Sequence, residues 1–251
     1  KIFERSASEV SVTALGDEIV RQAQSVLEQA AEIKEIAKRG KDPLSGPLRL
    51  GVIYTIGPYL LPDLVRQIIT RTPQMPLMLQ ENFTVRLLEM LRTGEIDCAI
   101  LAEPFPDTGL AMAPLYDEPF VAALPRNHAL AGAASLTTDQ LKEETMLLLG
   151  NGHCFRDQVL KICPNCDPFK NKIANLITTS SLETIKYMVA MNIGVSILPK
   201  LAQHNLPPNL CMKPISGGMQ TRTISLVYRR NFTRKSLIDE IQQLLVTELL
   251  L

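Results

Sequence analysis

Tryptophan is absent from the 251 residues, aromatic side chains make up only 5% of them, and neither sign of charge is in excess, 26 Lys and Arg facing 26 Asp and Glu. A neutral balance excludes a basic nucleic-acid footprint spread over this chain. Any DNA-reading part is therefore expected to be mostly absent from it. No apolar run approaches the ~20 residues of a membrane span. The charged opening Lys1-Ile2-Phe3-Glu4-Arg5 lacks the apolar segment of a secretory signal. A cytoplasmic protein with no membrane contact is expected. Five cysteines, an odd number scattered through a long chain, do not make a secreted disulfide framework. In a reducing compartment a cysteine pair is redox-active or metal-binding.

What is present begins with a long stripe. Thr13 is an N-cap residue, and Asp17 and Glu18 follow in the first turn. Ile19, Ala23, Val26, Ala30, Ile33 and Ala37 then recur alternately four and three apart, a heptad seam. Lys38-Arg39-Gly40 ends it. A narrow seam of this length predicts a helix over 14–40 that pairs with a copy of itself, the alternative being an amphipathic helix packed on its own domain. Lys41 to Pro47 reads as a hinge-like linker.

Strand and helix patterns then alternate. Strands are predicted at 48–54, 77–81 and 98–101, with helices from Pro58 to about Thr70 and from Val85 to Arg92. This β-α-β-α-β order predicts a parallel sheet. A strand at 119–124 leads into Pro125-Arg126-Asn127-His128, read as a crossover. A second unit follows: a helix at 136–143, strands at 146–149, 173–178 and 194–199, and a helix capped around Ser181. A strand at 223–228 returns to the first unit, and an amphipathic helix starts near Thr233. The ligand cleft of such a fold lies at the carboxyl ends of strands. Thr55 and Thr84 each follow a strand and precede a helix there, as helix caps or as hydroxyls for a polar ligand.

The chemistry concentrates at Gly152-His153-Cys154-Phe155-Arg156-Asp157-Gln158, with Cys163 nine residues after Cys154. Asn151-Gly152 reads as a turn, so Cys154 falls in the first turn of a helix. A helix N-terminus and neighbouring cations favour a thiolate. His153 and Arg156 are such neighbours, and Asp157 can hold either in place. Cys163-Pro164-Asn165-Cys166 adds a Cys-x-x-Cys. A zinc set from these residues is not expected, because adjacent residues at a helix start rarely face one ion and no second Cys-x-x-Cys exists. Cys166 reads as a bystander or a competing partner for Cys154. Cys98 and Cys211 read as core.

The run from Gly152 to Gln158 with its spaced second cysteine resembles the peroxide-sensing segment of the OxyR family of LysR-type transcription regulators. Further landmarks suit that family: Thr55-Ile56-Gly57-Pro58-Tyr59-Leu60-Leu61-Pro62, Gly94-Glu95-Ile96-Asp97, Asp117-Glu118-Pro119 and Ser181-Leu182-Glu183-Thr184. Phe3, Arg5, Val12, Thr13 and Gly16 resemble the wing that closes the family's winged helix-turn-helix. The resemblance implies an α/β fold: a two-lobed, periplasmic-binding-protein-like effector domain preceded by a long linker helix. The implied division is wing 1–13, dimerisation linker helix 14–40, subdomain I at 47–124 plus 223–251, and subdomain II at 125–222.

By the same resemblance Cys154 is oxidised by hydrogen peroxide and Cys163 closes a Cys154–Cys163 disulfide. Thr55, Thr84, His153, Arg156, Asp157 and Arg229 are expected around the peroxide. The implied function is a non-enzymatic transcription regulator that activates antioxidant genes by switching a dimer or tetramer. It would need no cofactor and no metal. Its partners would be hydrogen peroxide, promoter DNA through the absent N-terminal domain, further copies of itself, and a thiol reductant such as glutaredoxin or thioredoxin. A regulator of the same type that senses a small metabolite or metal in the interlobe cleft is the alternative. A thiol peroxidase is a third possibility, disfavoured because nothing resembles a thioredoxin fold.

Overall fold

A computed structural model of the chain describes residues 2–5, 10–39, 44–106, 109–164, 179–217 and 220–249. Two short strands, β1 (Phe3–Arg5) and β2 (Val10–Val12), pair antiparallel. Helix α1 (Ala14–Arg39) follows, with Thr13 Oγ1 accepting from the Gly16 amide at 2.9 Å. That bond satisfies one of the amides that a helix start leaves without a partner. The seam residues Ile19, Val26 and Ile33 are exposed in the single chain. Ser25, Glu28 and Glu32 are half-buried on the other side.

The first lobe is built on β3 (Leu48–Ile53), α2 (Gly57–Arg71), β4 (Leu77–Asn82), α3 (Thr84–Thr93) and β5 (Cys98–Ala102). β3 pairs parallel with both β4 and β5, as the alternating pattern predicts. Leu50, Val52, Ile100 and Leu101 have no exposed surface, which is the continuous apolar character of strands covered on both faces.

β6 (Ala111–Pro125) is far longer than the strand read at 119–124. Its first part, 111–119, pairs antiparallel with β9 (Thr221–Tyr228), and β9 also pairs antiparallel with β5. Its last part, 120–125, pairs with β7 (Ser196–Pro199) and β8 (Leu210–Pro214). One strand thus runs through both sheets. The crossover read at 125–128 is instead a turn, and β6 itself makes the crossing. Only Leu115 and Glu118 are buried within residues 111–118, and Pro114 lies among them, a weak strand pattern from sequence alone.

The second lobe holds α4 (Thr138–Leu141), α5 (Cys154–Ile162) and α6 (Leu182–Ala190). The helix read at 136–143 shrinks to four residues behind a Thr137–Gln140 capping box. The strand read at 146–149 is only isolated bridges, Met146 to Val195 and Leu149 to Thr179. The strand read at 173–178 lies outside the described residues. Helix α7 (Lys235–Gln243) and a π-helical tail (Leu244–Leu249) pack back on the first lobe. Each lobe has its own apolar core, one around Leu50, Ile100 and Leu226, the other around Phe155, Val159 and Ile197.

Candidate functional site: a thiol pocket between the lobes

Gly152 has φ 91°, a left-handed conformation that glycine adopts without strain. It turns the chain into α5, with His153 as N-cap and Cys154 as the first helical residue. The helix has two apolar attachments. Phe155 and Val159 enter the second core, Phe155 stacking on Phe120 with ring centroids 5.5 Å apart. Each such side chain contributes roughly 1.5–3 kcal/mol by burial. Cys154 packs the other way, against the first core. Gln158 Nε2 donates to the Glu103 carbonyl of the first lobe at 2.9 Å.

The thiol faces a cavity of about 10 Å³ lined by Tyr54, Thr55, Phe83, Thr84, Gly152 and His153. That is room for one water-sized molecule. Thr84, the first residue of α3, donates its hydroxyl to Cys154 Sγ at 3.4 Å. Its oxygen lone pairs remain available to accept. Thr55 is turned the opposite way: its hydroxyl oxygen accepts from Arg222 Nη1 at 3.0 Å, which leaves its own proton to donate. His153 is buried against Phe83 and Tyr54, and its Nε2 has no hydrogen-bond partner among the described residues. Burial lowers its pKa from the ordinary 6.5, so the ring is neutral at pH 7.

Arg222 was not foreseen. It is the second residue of β9, stands on the same inward face as Ile224 and Leu226, and is buried with Glu118 of β6. Its Nε donates to Glu118 Oε2 at 2.8 Å, its Nη2 lies 2.6 Å from the same oxygen, and its guanidinium lies 4.9 Å from the Phe155 ring centre. An arginine at an inward strand position demands a buried partner. That demand was the available signal, with the Asp117-Glu118-Pro119 landmark as the answering acid.

Arg229, expected at the peroxide, is elsewhere. It follows the end of β9 and donates to the carbonyls of Leu91 at 2.7 Å and Ile96 at 2.9 Å. The antiparallel path of β9 explains the correction, because the end of the strand points away from the interlobe cleft while its start lies in it. Arg156 is also outside the pocket lining; its Nη1 donates to the Leu149 carbonyl at 2.9 Å and holds α5 to the preceding loop. Asp157 is exposed in the first turn of α5, where its charge suits the helix dipole, and no contact joins it to His153 among the described residues.

Cys154 is a free thiol, as are Cys98 and Cys211. Cys163 caps the far end of α5, buried in the second core. It is disulfide-bonded, and the bond does not involve Cys154. Its other half lies outside the described residues, as does the reading of Cys166 as a competing partner. Nine residues of α-helix separate Cys154 from Cys163, a rise of ~13.5 Å. Cys98 is fully buried and its thiol is pushed well above the ordinary range by burial.

Two lobes crossed by β6 and β9 with a polar site between them form a known arrangement, and a model of the LysR substrate binding domain matches residues 41–249. The class is that of LysR-type regulators. The hydrogen peroxide-inducible genes activator of Dickeya chrysanthemi is 35% identical over 230 residues, which cover 91% of this chain and 74% of that protein. A full-length OxyR variant from Pseudomonas aeruginosa superposes with TM-score 0.79 at 43% identity, covering 98% of this chain and 82% of its own. A hydrogen-peroxide-bound OxyR mutant from Corynebacterium glutamicum gives TM-score 0.75 at 31% identity, with 98% and 77% covered. The chain belongs to the OxyR family of LysR-type transcription regulators. No described helix is long and apolar enough to cross a membrane.

Proposed function

We propose that this chain is a non-enzymatic peroxide sensor whose Cys154 thiolate attacks hydrogen peroxide. One observation carries the reading: a free thiol meets a water-sized cavity whose hydroxyls are oriented in opposite senses. Thr84 accepts from one end of the peroxide and Thr55 donates to the other, while neutral His153 Nε2 offers a further hydrogen-bonding atom. The sulfur takes one oxygen, the O–O bond breaks, and hydroxide leaves toward the Thr55–Arg222 side, where a buried cation polarises the donor. The product is a sulfenic acid on Cys154. A cleft of about 10 Å³ favours peroxide over the metabolite sensed in the alternative reading. The names of the relatives, a hydrogen peroxide-inducible genes activator and a hydrogen-peroxide-bound OxyR, support the same ligand.

Closure follows when Cys163, as a thiol, attacks the sulfenate and releases water, giving a Cys154–Cys163 disulfide. The bond on Cys163 in this structure must first be opened by a dithiol reductant of the thioredoxin or glutaredoxin kind. A disulfide needs Cα atoms within roughly 7 Å, so α5 cannot stay helical through the closure. The rearranged segment presents a different surface to the neighbouring copy and switches the dimer or tetramer. Promoter DNA is held by a winged helix-turn-helix of which β1 and β2 form the wing, and antioxidant genes are activated. The reading places the protein in the cytoplasm, with no cofactor and no metal. Thiol counting tests it. Fully reduced protein given one equivalent of peroxide should lose two thiols and then stop. Continued peroxide consumption with a reductant would mean a peroxidase, and no loss would mean a metabolite sensor.

A further inference from the structure

The arginine that the pocket does not use sits at the opposite end of a helix that the pocket does use. Helix α3 begins at Thr84, whose hydroxyl touches the Cys154 sulfur. Ten residues and ~15 Å later it ends, and Arg229 Nη1 holds the Leu91 carbonyl in its last turn. The same nitrogen holds Ile96 at the entry to β5. Gly94 caps α3 with φ 73°. A Cβ there would lie 3.3 Å from Cδ and Cγ of Glu28, so the linker helix α1 rests directly on the end of α3. One turn further along α1, Glu32 Oε1 accepts from Thr233 Oγ1 at 3.1 Å.

The linker helix therefore has two working faces. Residues two apart on a helix point about 200° apart. Val26 and Ile33 of the seam stay exposed for a partner copy, while Glu28 and Glu32 are turned onto their own effector domain. That second contact is not close-packed. A polar cavity of about 140 Å³ lies between Glu28 and Glu32 on one side and Arg49, Asp97 and Arg229 on the other. Such a joint can reseat without dismantling an apolar core.

We propose that α3 is the rod that carries the state of Cys154 to the linker helix, with Glu28 and Glu32 as its coupling residues. The inference rests on the peroxide reading above. Oxidation draws Cys154 away from Thr84, the start of α3 loses its partner, and the shift reaches α1 through Gly94 and Arg229. Helix shifts of ~1–2 Å are enough to re-aim attached elements.

Hydrogen exchange on the full chain tests it, following the amides of residues 22–34 before and after one equivalent of peroxide, beside thiol counting. In the wild type, oxidation should change their exchange by about threefold or more. In a Glu28→Ala, Glu32→Ala variant the thiols should be lost equally fast, while the redox-dependent difference in α1 disappears. A purely structural role would shift α1 exchange equally in both redox states and leave the difference intact, which overturns the coupling. A wild-type α1 that ignores oxidation while two thiols are lost overturns it as well. A wild type that loses no thiols defeats the peroxide reading itself, and this inference with it.

Discussion

Removing Arg222 should separate the stability of the fold from the reactivity of its thiol. The Arg222 and Glu118 side chains are each only 1% exposed, and Glu118 Oε1 also accepts from the Leu201 amide at 3.2 Å. An Arg222→Met substitution leaves that carboxylate buried without its cation, at a cost of roughly 3–5 kcal/mol. With a urea m-value of about 3 kcal/mol/M the unfolding midpoint should fall by roughly 1–1.7 M. Adding Glu118→Gln removes the stranded charge, and most of the loss should return, because replacing both members of a buried pair is often near neutral. Reactivity should not return. Thr55 still lacks its charged donor, so peroxide oxidation of Cys154 should stay roughly 10- to 100-fold slow, the scale of one polarising group lost. Urea melts and stopped-flow thiol loss on the single and double variants read the two quantities separately. A double variant that oxidises at the wild-type rate would refute a role for Arg222 in the chemistry. A single variant that loses less than about 1 kcal/mol would refute the buried-pair estimate.

Burial holds His153 below its ordinary 6.5, so between that value and the lower folded one the unfolded chain binds the extra proton. Its stabilising contribution is complete above pH 6.5 and is lost as pH falls through the folded value. Melts across this window should slope less in a His153→Leu variant than in the wild type. Replacing Val26 and Ile33 with Asp puts charge into the seam, and light scattering should show weaker self-association, whereas an unchanged mass would exclude the seam as an interface. Amides of 154–163 should lose exchange protection when the Cys154–Cys163 bond forms, and equal protection in both states would refute the unwinding of α5.

Elements with strong local signatures are legible in the sequence. The Thr13 cap, the buried runs at 48–53 and 98–102, the Ser181 cap and the α5 start after Gly152 all depend on residues near in sequence. Elements with distant pairing partners are not legible there. The 111–118 part of β6 and all of β8 are strands because β9 and β6 lie beside them, and neither carries a clean two-residue alternation. The run at 146–149 is apolar enough for a strand but finds only single bridges. In the site, Thr55, Thr84, His153 and Cys154 lie together around one small cavity. Arg222 escaped because its partners Glu118 and Thr55 are 104 and 167 residues away in sequence, and Arg229 was favoured by its place after a recognisable strand. Arg156 and Asp157 are next to the thiol in sequence, but the turn of the helix directs them elsewhere.

The identity of the reacting atom is the centre of the account. Mass spectrometry of a Cys163→Ser variant, treated with one equivalent of hydrogen peroxide and a sulfenate-selective probe, tests it most directly. The geometry predicts the adduct on Cys154, the thiol that faces the small cavity, and none on Cys98, which is sealed in the first core. Labelling at another cysteine with Cys154 unmodified would contradict it.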